Sequence, residues 1–468
     1  MSLSATIKNI QDILRKDSGL DGDPQRISQL VWMLFLKMFD DTEVSNKTPI
    51  PEEHKWRNWT KKNIKDEELI SYINKDLFPT LRALPDVKGQ VPRAKLIEDI
   101  FQNSHNYMTS GSLLKQVIAK IDSEFDFSSS QNRHLFNDIY ETILKDIQNS
   151  RYSGEFYTPR AVTKFISRFL DPKLGEIILD PACGTGGFLS SAIEYINANK
   201  SKTSWTDKEK GNIKGIEKKS LPYMLCITNL MLHDIEVPNV LKDNAFSNPL
   251  DSIQESDKVD VILTNPPFGG IEEESIKKEF AKDWSSKETA DLFMLLIMNR
   301  LKKNGRAGVV LPDGFLFGTG AKIKIKEKLL SEFNLHTIYK LPRGVFAPYT
   351  NINSNILFFE KGKPTKEIWY FEHPLPRERN GKPYNKSNPI AENEFAFDWL
   401  YNREENPNCW KIDINLIKER NFNLDFKNPN KNNKIRNIES SESLIRQLIQ
   451  NQETITKIFD QINKELIS

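Results

Sequence analysis

The spacing of apolar residues along the chain changes near residue 150. Before that point apolar side chains recur at helical intervals, as at Ile7 and Ile10, because one face of an α-helix returns every three or four residues. This spacing predicts an α-helical domain over residues 1–150. The run QRISQLVWMLFLKMF is apolar on nearly every side of a helix, which predicts a buried helix that begins at Asp23-Pro24.

From about residue 176 short runs of apolar and β-branched residues alternate with helical segments. The runs are EIILD, NIKGIE, VDVILTN, RAGVVLP, LHTIYKLP and SNILFFEKG, with a weakly marked further strand near VPNVLKDNAFS. Such alternation predicts an α/β domain with a doubly wound, mostly parallel, seven-stranded sheet, which we place in residues 151–362. No long helix separates the last two runs, so we expect the final strand to enter antiparallel as a hairpin.

The remainder of the chain has two different compositions. Residues 363–438 are rich in proline, asparagine and lysine, which predicts a loop-rich extension. Residues 439–468 regain helical spacing, with Asn451 at a seam position of a heptad-like stripe. The stripe is formed by Leu444, Leu448, Ile455, Ile458, Ile462 and Leu466. A helix with one apolar stripe must bury it, either on its own domain or on a partner helix.

Composition and charge limit the classes of function. The 468 residues are 38% hydrophobic and 28% charged, and 66 Lys and Arg against 64 Asp and Glu leave a formal net charge of +2. A chain so balanced is not expected to grip nucleic acid alone through a basic surface. Its three cysteines, Cys183, Cys226 and Cys409, are far apart and odd in number, which argues against disulfides or a zinc site and favours a reducing cytoplasm. No apolar run approaches the roughly 20 residues that span a bilayer, so we expect no membrane segment and no metal.

A strand, an aspartate, a glycine-rich turn and a helix follow one another in EIILDPACGTGGFLSSA, residues 176–192. Gly184, Gly186 and Gly187 allow the backbone to bend sharply and to approach a ligand, and the start of the following helix offers free N–H groups. The spacing G-T-G-G matches neither the dinucleotide fingerprint nor the triphosphate-binding loop. With Asp180 at the end of the strand, the segment predicts a cofactor site of another kind.

Polar residues also follow the next two strands. Glu217 ends NIKGIE, where a carboxylate can accept hydrogen bonds from both hydroxyls of a ribose; a solvated strand end is the alternative. Asp243 and Asn244 follow the third strand at the height where an adenine ring would lie. A simple turn is the alternative for this pair.

The fourth strand ends in Asn265-Pro266-Pro267-Phe268. Two prolines terminate a strand, because each lacks an N–H and has a fixed φ. The Asn265 side-chain oxygen and the Pro266 carbonyl could accept both hydrogens of an exocyclic amine, favour a pyramidal nitrogen and aim its lone pair at an incoming methyl group. Phe268 offers a face on which a base could stack. Asparagine is no strong base, so such a site would act by orientation and electrostatics.

These motifs carry a resemblance to a known family. DPACGTGGF followed by NPPF resembles the amino-methyltransferases that use S-adenosylmethionine, in the motif order of the gamma class of N6-adenine DNA methyltransferases. GEFYTPR at residues 154–160 is similar to the segment ahead of the cofactor motif in modification subunits of type I restriction-modification systems. GRAGVVLPDGFLFGTG and LPRGVFAPYTNINSNILFFEKG are similar to later strands of the same family.

The resemblance implies S-adenosylmethionine as cofactor. In the family the segment that matches residues 155–160 folds over the cofactor, Asp180 and the glycine turn hold its amino-acid end, and Glu217 holds its ribose. The matching positions are Glu155, Phe156, Tyr157, Thr158, Pro159, Arg160, Asp180, Gly184, Thr185, Gly186, Gly187 and Glu217. Interpreted locally, the same segment is a helix start with Thr158 as cap and Pro159 at the first position. The third-strand segment departs from the family's small-residue form, so the role of Asp243 and Asn244 rests on their position alone.

The resemblance also implies a reaction and partners. The reaction is methyl transfer to a flipped adenine in double-stranded DNA. No target-recognition domain follows the sheet, so a separate specificity subunit is expected to read the sequence, with two modification subunits per specificity subunit and a restriction subunit in the full complex. Residues 439–468 are then a docking helix and residues 1–150 a DNA clamp. Methylation of rRNA or of a protein glutamine, and a non-catalytic subunit that senses S-adenosylmethionine, are the alternatives.

Overall fold

The computed structural model describes residues 3–42, 49–62, 64–85, 91–129, 133, 157–199, 204–269, 272–282, 284, 286, 288–348, 350–376, 379–401, 403–430, 452 and 456. The predicted helical segment that ends near Ile147, the residues Glu155 and Phe156, and nearly all of the predicted helix at 439–468 lie outside these ranges.

The N-terminal region is helical, as its apolar spacing predicted. Its helices are α1 (Leu3–Leu14), α2 (Asp23–Asp41), α3 (Trp56–Trp59), α4 (Asp66–Tyr72), α5 (Phe78–Leu81), α6 (Val91–Phe101) and α7 (Gly111–Glu124), with a π-helical turn at Ile73–Leu77 between α4 and α5. Helix α2 is buried without interruption from Gln29 to Leu36, which confirms the prediction of a buried helix.

The rest of the described chain alternates between helices and strands. These elements are α8 (Arg160–Leu170), β1 (Ile178–Asp180), α9 (Gly187–Asn199), α10 (Asp207–Gly211), β2 (Ile213–Ile216), α11 (Ser220–Leu232), β3 (Asn239–Leu241), β4 (Val259–Thr264), α12 (Glu274–Phe280), α13 (Thr289–Arg300), β5 (Leu301–Pro312), α14 (Asp313–Phe317), α15 (Ala321–Glu332), β6 (Phe333–Lys340), β7 (Ser354–Lys361), β8 (Glu367–Glu372), α16 (Phe397–Tyr401), β9 (Cys409–Asp413) and α17 (Ile414–Glu419).

The strands form one mixed sheet in the order β3-β2-β1-β4-β5-β7-β6-β8-β9. From β3 to β5 every neighbouring pair is parallel, whereas β7 runs antiparallel between β5 and β6. The predicted antiparallel hairpin is therefore confirmed. Chain order reverses between β1 and β4, and in open α/β sheets ligands bind at such a switch point, beyond the carboxyl ends of the strands.

The sheet has nine strands rather than the predicted seven. The two additional strands come from residues 363–438, where β8 pairs parallel with β6 and β9 pairs antiparallel with β8. Without them β6 would be an exposed edge strand, which proteins usually cover or pair. The run EIWYFE carries β-favouring residues that could have predicted β8, but proline- and lysine-rich flanks obscured it.

Both faces of the sheet are covered, which explains why its strands are continuously apolar. Ile178 faces the core on one side, whereas its neighbour Leu179 faces the core on the other. On the first side α11 is buried from Pro222 to Leu232, because it lies between the sheet and helices α2 and α6.

Polar contacts also join the helical N-terminal region to the sheet. The Lys242 ammonium donates to the Asp99 carbonyl at 2.7 Å, and Arg93 forms an ion pair with Glu236 at 2.8 Å. The helical region is thereby held against the β3 edge of the sheet. No helix in the described ranges is long and apolar enough to cross a membrane.

Candidate active site

The glycine turn joins β1 to α9 at the switch point. Gly184 and Gly186 have φ values of +53° and +80°, a left-handed conformation that side chains other than glycine rarely adopt. A Cβ on Gly186 would lie 2.9 Å from the Cys226 sulfur, whereas a Cβ on Gly184 would meet no atom of the described residues within 4 Å. Gly186 thus permits close packing on α11, and Gly184 borders open space into which a ligand could fit.

Asp180 ends β1 and is almost completely buried, with 1% of its surface exposed. Burial raises the pKa of its carboxyl to about 7, and the Glu217 carboxylate acts in the same direction, although the N–H of Ala182 donates to Asp180 at 3.1 Å. A carboxyl that ionises so reluctantly would gain from a cationic group placed beside it. This property fits the ammonium of an amino-acid moiety.

Glu217 follows β2 and links that strand to the glycine turn. Its two carboxylate oxygens accept hydrogen bonds from the N–H groups of Gly184, at 2.9 Å, and of Lys219, at 2.7 Å. Each carboxylate oxygen has a further lone pair, so the side chain can also accept from the hydroxyls of a ribose. The backbone bonds would hold it ready for that contact.

Two side chains from neighbouring helices hold the turn in place. Asn229 of α11 donates to the Thr185 carbonyl at 3.0 Å. Arg160, the first residue of α8, donates to the Gly187 carbonyl at 2.9 Å and forms a very short hydrogen bond with Ser190. The resemblance places Arg160 in the segment that folds over the cofactor, and in the structure its guanidinium is bonded to the start of α9. Sequence reasoning missed Asn229 and Ser190, because no local motif marks them.

Asn265 follows β4, which lies beside β1 in the sheet. Its side-chain nitrogen donates to the Thr158 hydroxyl at 2.9 Å. Its side-chain oxygen is buried and has no hydrogen-bond partner among the residues that the structure describes. A buried acceptor without a partner is costly in a folded protein, so this oxygen is suited to receive a donor from a ligand.

The residues after Asn265 differ in burial, and the aromatic one is held in place by packing. Pro266 and Phe268 are buried and Pro267 is exposed. The Phe268 ring packs edge-on against Phe346, with ring centroids 5.7 Å apart and planes at 86°. The β6–β7 connection, which carries Phe346, thus supports the aromatic ring that was predicted to stack on a base.

The third-strand residues are engaged locally. One Asp243 oxygen accepts from the N–H of Asn244 and from the Ser247 hydroxyl, both at 2.7 Å, as in a simple turn. Asn244 donates to Glu272 at 3.1 Å, and Lys218 lies 3.4 Å from the same Glu272 oxygen. Glu272 therefore bridges the segments after β2 and β3, a contact that no sequence pattern indicated.

The segment before α8 is placed differently from its local interpretation. The N-cap of α8 is Pro159, and it makes no side-chain capping bond. Helix α8 therefore begins at Arg160, one residue later than expected with Thr158 as cap. The Thr158 hydroxyl binds Asn265 instead. Tyr157 is half-buried against the core.

Two family models match the chain. Residues 131–438 match the model described as N-6 DNA Methylase, and residues 3–121 match the model described as HsdM N-terminal domain. The chain therefore belongs to the N-6 DNA methylase family, which is part of the S-adenosylmethionine-dependent methyltransferase class.

The relatives narrow this class further. The methylase subunit of type I restriction enzyme EcoEI from Escherichia coli is 51% identical over 449 residues, which cover 92% of this chain and 91% of the relative. The EcoKI methylase subunit from Escherichia coli K12 is 30% identical over 422 residues, covering 81% and 75% of the two chains. The chain is thus a type I methylase subunit, an adenine-specific DNA methyltransferase.

Solved structures agree with this assignment. A modification subunit from Vibrio vulnificus YJ016 has a TM-score of 0.81 at 41% identity and covers 92% of this chain and 96% of its own. A chain from a type I R-M system has a TM-score of 0.81 at 32% identity and covers 100% and 98%. The predicted fold, enzyme class and family are thereby confirmed, and the rRNA, protein-glutamine and non-catalytic alternatives are not supported.

Proposed function

We propose that the carboxyl edge of β1, β2 and β4 binds S-adenosylmethionine and presents Asn265 to the N6 amine of a flipped adenine. The observation that carries this proposal is the buried Asn265 oxygen, which has no partner within the described ranges and directly follows the strand that pairs with β1. The cofactor supplies an electrophilic methyl group when it is bound.

The cofactor roles are inferred from the contacts of each residue. Asp180 would bind the ammonium of the amino-acid moiety, because an adjacent cation stabilises its reluctant carboxylate. Gly184 would allow the ligand to approach the backbone, and Glu217 would accept hydrogen bonds from the ribose. Asp243 and Asn244 would lie at the adenine end, because they follow β3, which pairs with the strand that precedes Glu217.

The chemistry at the amine depends on orientation. The Asn265 oxygen and the Pro266 carbonyl each accept one amine hydrogen, which favours the pyramidal nitrogen whose lone pair attacks the methyl carbon. Phe268, supported by Phe346, stacks on the base and fixes its plane. The bound cofactor would supply the methyl group, and the methylated amine, which is more acidic, would lose its proton to solvent after transfer. No strong base is needed for that step.

The substitution Asn265→Ala tests this assignment. Methylation of duplex DNA by the assembled complex should fall by about 100-fold or more, because the acceptor that orients the amine is lost. Cofactor affinity, measured by calorimetry, should stay close to that of the unmodified protein. Glu217→Ala should instead weaken cofactor binding.

Asn299→Ala is a matched control. Asn299 is also half-buried, and it donates to the Leu295 carbonyl on α13 at 2.8 Å, so its loss should leave both measurements unchanged. Methylation that survives Asn265→Ala would contradict the catalytic assignment.

We further propose that the chain acts with DNA, a specificity subunit and a restriction subunit, with two copies of this chain per specificity subunit. The net charge of +2 supports shared DNA binding, because a chain whose positive and negative charges nearly balance binds phosphates weakly by itself. The helical N-terminal region would close on the DNA, and residues 439–468 would dock on the specificity subunit. Deletion from Glu439 onward should abolish co-purification with that subunit, and intact assembly would contradict the docking role.

A further inference from the structure

The Thr158 hydroxyl is used in an unusual way for its position. A threonine just ahead of a helix commonly caps the first turn with its side chain. Here Pro159 is the N-cap, without a side-chain bond, and the Thr158 hydroxyl accepts a hydrogen bond from Asn265 instead. The two residues are 107 positions apart in the chain, so the contact belongs to the tertiary structure of the site.

An asparagine side chain has two distinct ends, and only one of them suits the proposed reaction. The amide oxygen can accept an amine hydrogen, whereas the amide nitrogen carries two hydrogens of its own and would oppose the amine. Rotation of the amide by half a turn would therefore replace the accepting oxygen with the nitrogen, whose hydrogens oppose those of the amine. A hydroxyl that accepts from the nitrogen end opposes that rotation as long as its own hydrogen points away from the amide.

We propose that Thr158 is a positioning residue, which holds the nitrogen of Asn265 so that the oxygen faces the target amine. This inference rests on the proposed function of Asn265. Two observations carry it: the bond of 2.9 Å to the nitrogen, and the buried oxygen at the other end of the same amide, which has no partner in the described part of the chain.

Thr158 is well placed to act as a fixed point. The following Pro159 restricts its backbone to extended conformations, and the branched Cβ of threonine limits rotation about χ1. The helix that starts after it is bonded to α9 through Arg160 and the Gly187 carbonyl and through the hydroxyls of Thr163 and Ser191, 2.7 Å apart. The segment thus connects the glycine turn to the catalytic asparagine.

The expected consequence is a loss of rate rather than of affinity. Without the hydroxyl, Asn265 would have a nitrogen lacking its partner, and the amide would sample the wrong orientation. Substrates would still bind, but fewer bound complexes would be ready to react. A purely structural or cofactor-binding role for Thr158 would instead change stability or cofactor affinity.

The test compares Thr158→Val, which removes the hydroxyl and keeps the shape, with Thr158→Ser, which keeps the hydroxyl. The single-turnover methylation rate of the assembled complex at saturating S-adenosylmethionine and duplex DNA should fall about 10- to 100-fold in the valine variant. The serine variant should recover most of that rate. Cofactor and DNA dissociation constants should change by no more than about threefold in either variant.

Thr228→Val is the matched control and should keep the full rate, because Thr228 is a buried threonine of α11 whose hydroxyl donates to the Met224 carbonyl at 2.8 Å. The positioning role is wrong if Thr158→Val keeps the full rate, if its deficit disappears at saturating cofactor, or if Thr158→Ser is no better than valine. Asn265→Ala separates the two proposals: loss of methylation there with full activity of Thr158→Val would overturn only the positioning role. Retained methylation in Asn265→Ala would overturn both.

Discussion

The two halves of the sheet differ in strand length and in the side chains that they carry. On one side β1, β2 and β3 are 3, 4 and 3 residues long, and polar side chains such as Asp180 and Glu217 stand at their carboxyl ends. On the other side β5, β6 and β7 are 12, 8 and 8 residues long, and aromatic side chains pack around them. The short parallel half therefore carries the candidate functional side chains. The long antiparallel half supplies the apolar burial that stabilises the sheet.

Loss of an aromatic ring from the long half should have the largest effect on stability. Phe359 of β7 is completely buried and packs edge-on against Phe333, with ring centroids 5.7 Å apart. Phe359→Ala should lower the free energy of unfolding by about 3–5 kcal/mol, measured by urea denaturation. Cofactor affinity of the folded protein should hardly change.

Phe317 offers a control of the same chemical type, because it is 52% exposed. Phe317→Ala should change stability by no more than about 0.5 kcal/mol. If both phenylalanine substitutions had the same effect, the long half would not carry the stability that its burial indicates.

A substitution in the glycine turn should affect both properties. Gly186→Ala would combine a left-handed backbone with a Cβ only 2.9 Å from the Cys226 sulfur, which should cost about 2–4 kcal/mol of stability. It should also weaken cofactor binding in calorimetry, because the turn must shift.

Gly184→Ala is the informative counterpart, since Gly184 has a positive φ but open space beside it. Its stability cost should be about 1–2 kcal/mol, from the backbone alone, while the new methyl group would point toward the ligand space. If Gly184→Ala loses less stability than Gly186→Ala but a comparable amount of cofactor affinity, the space beside Gly184 is a ligand site. Equal stability losses would contradict the packing difference between the two glycines.

What the sequence could predict depends on whether a feature is formed by neighbouring residues or by residues far apart in the chain. The glycine turn, the NPPF segment and the antiparallel hairpin were predictable, because each depends on neighbouring residues. The bond between Thr158 and Asn265 and the bridge formed by Glu272 were not, because each depends on side chains brought together by the fold.

Strand β8 had a local sequence signal, but the proline- and lysine-rich segments on either side of it predicted a loop. EIWYFE has the composition of a strand, yet only the need to cover β6 makes a strand there favourable. The assignments of Glu155 and Phe156, and of the helix at 439–468, remain predictions.

A buried histidine in the long half should make stability depend on pH. His373, just after β8, lies between the hydroxyls of Tyr339, at 2.8 Å, and Tyr384, at 3.5 Å. Burial lowers the pKa of His373 to about 4, so the unfolded chain takes up a proton below about pH 6.5 that the folded protein takes up only near pH 4. Stability from this group is complete above pH 6.5 and should decline as the pH falls toward 4, by up to about 3 kcal/mol.

Denaturation midpoints measured across that pH range should show the decline. His373→Gln should reduce the slope, although His336, whose pKa burial lowers to about 3, should leave part of it. A slope unaffected by His373→Gln would contradict the assignment.

Asp180 in the short half is the counterpart of His373, because burial again disfavours the charged form but a ligand is expected to reverse the effect. With a carboxyl pKa near 7 in the free protein, Asp180 is largely protonated at pH 6, and binding of the cofactor ammonium should drive its proton off. Affinity for S-adenosylmethionine should therefore tighten by up to about tenfold per pH unit as the pH rises toward 7, and level off above it. Calorimetry in buffers of different ionisation enthalpy should detect the released proton, and Asp180→Asn should bind more weakly and without this dependence. Proton release that persists in Asp180→Asn would assign the titration to another group. Asp180 would then have a structural role only, like His373 in the long half of the sheet.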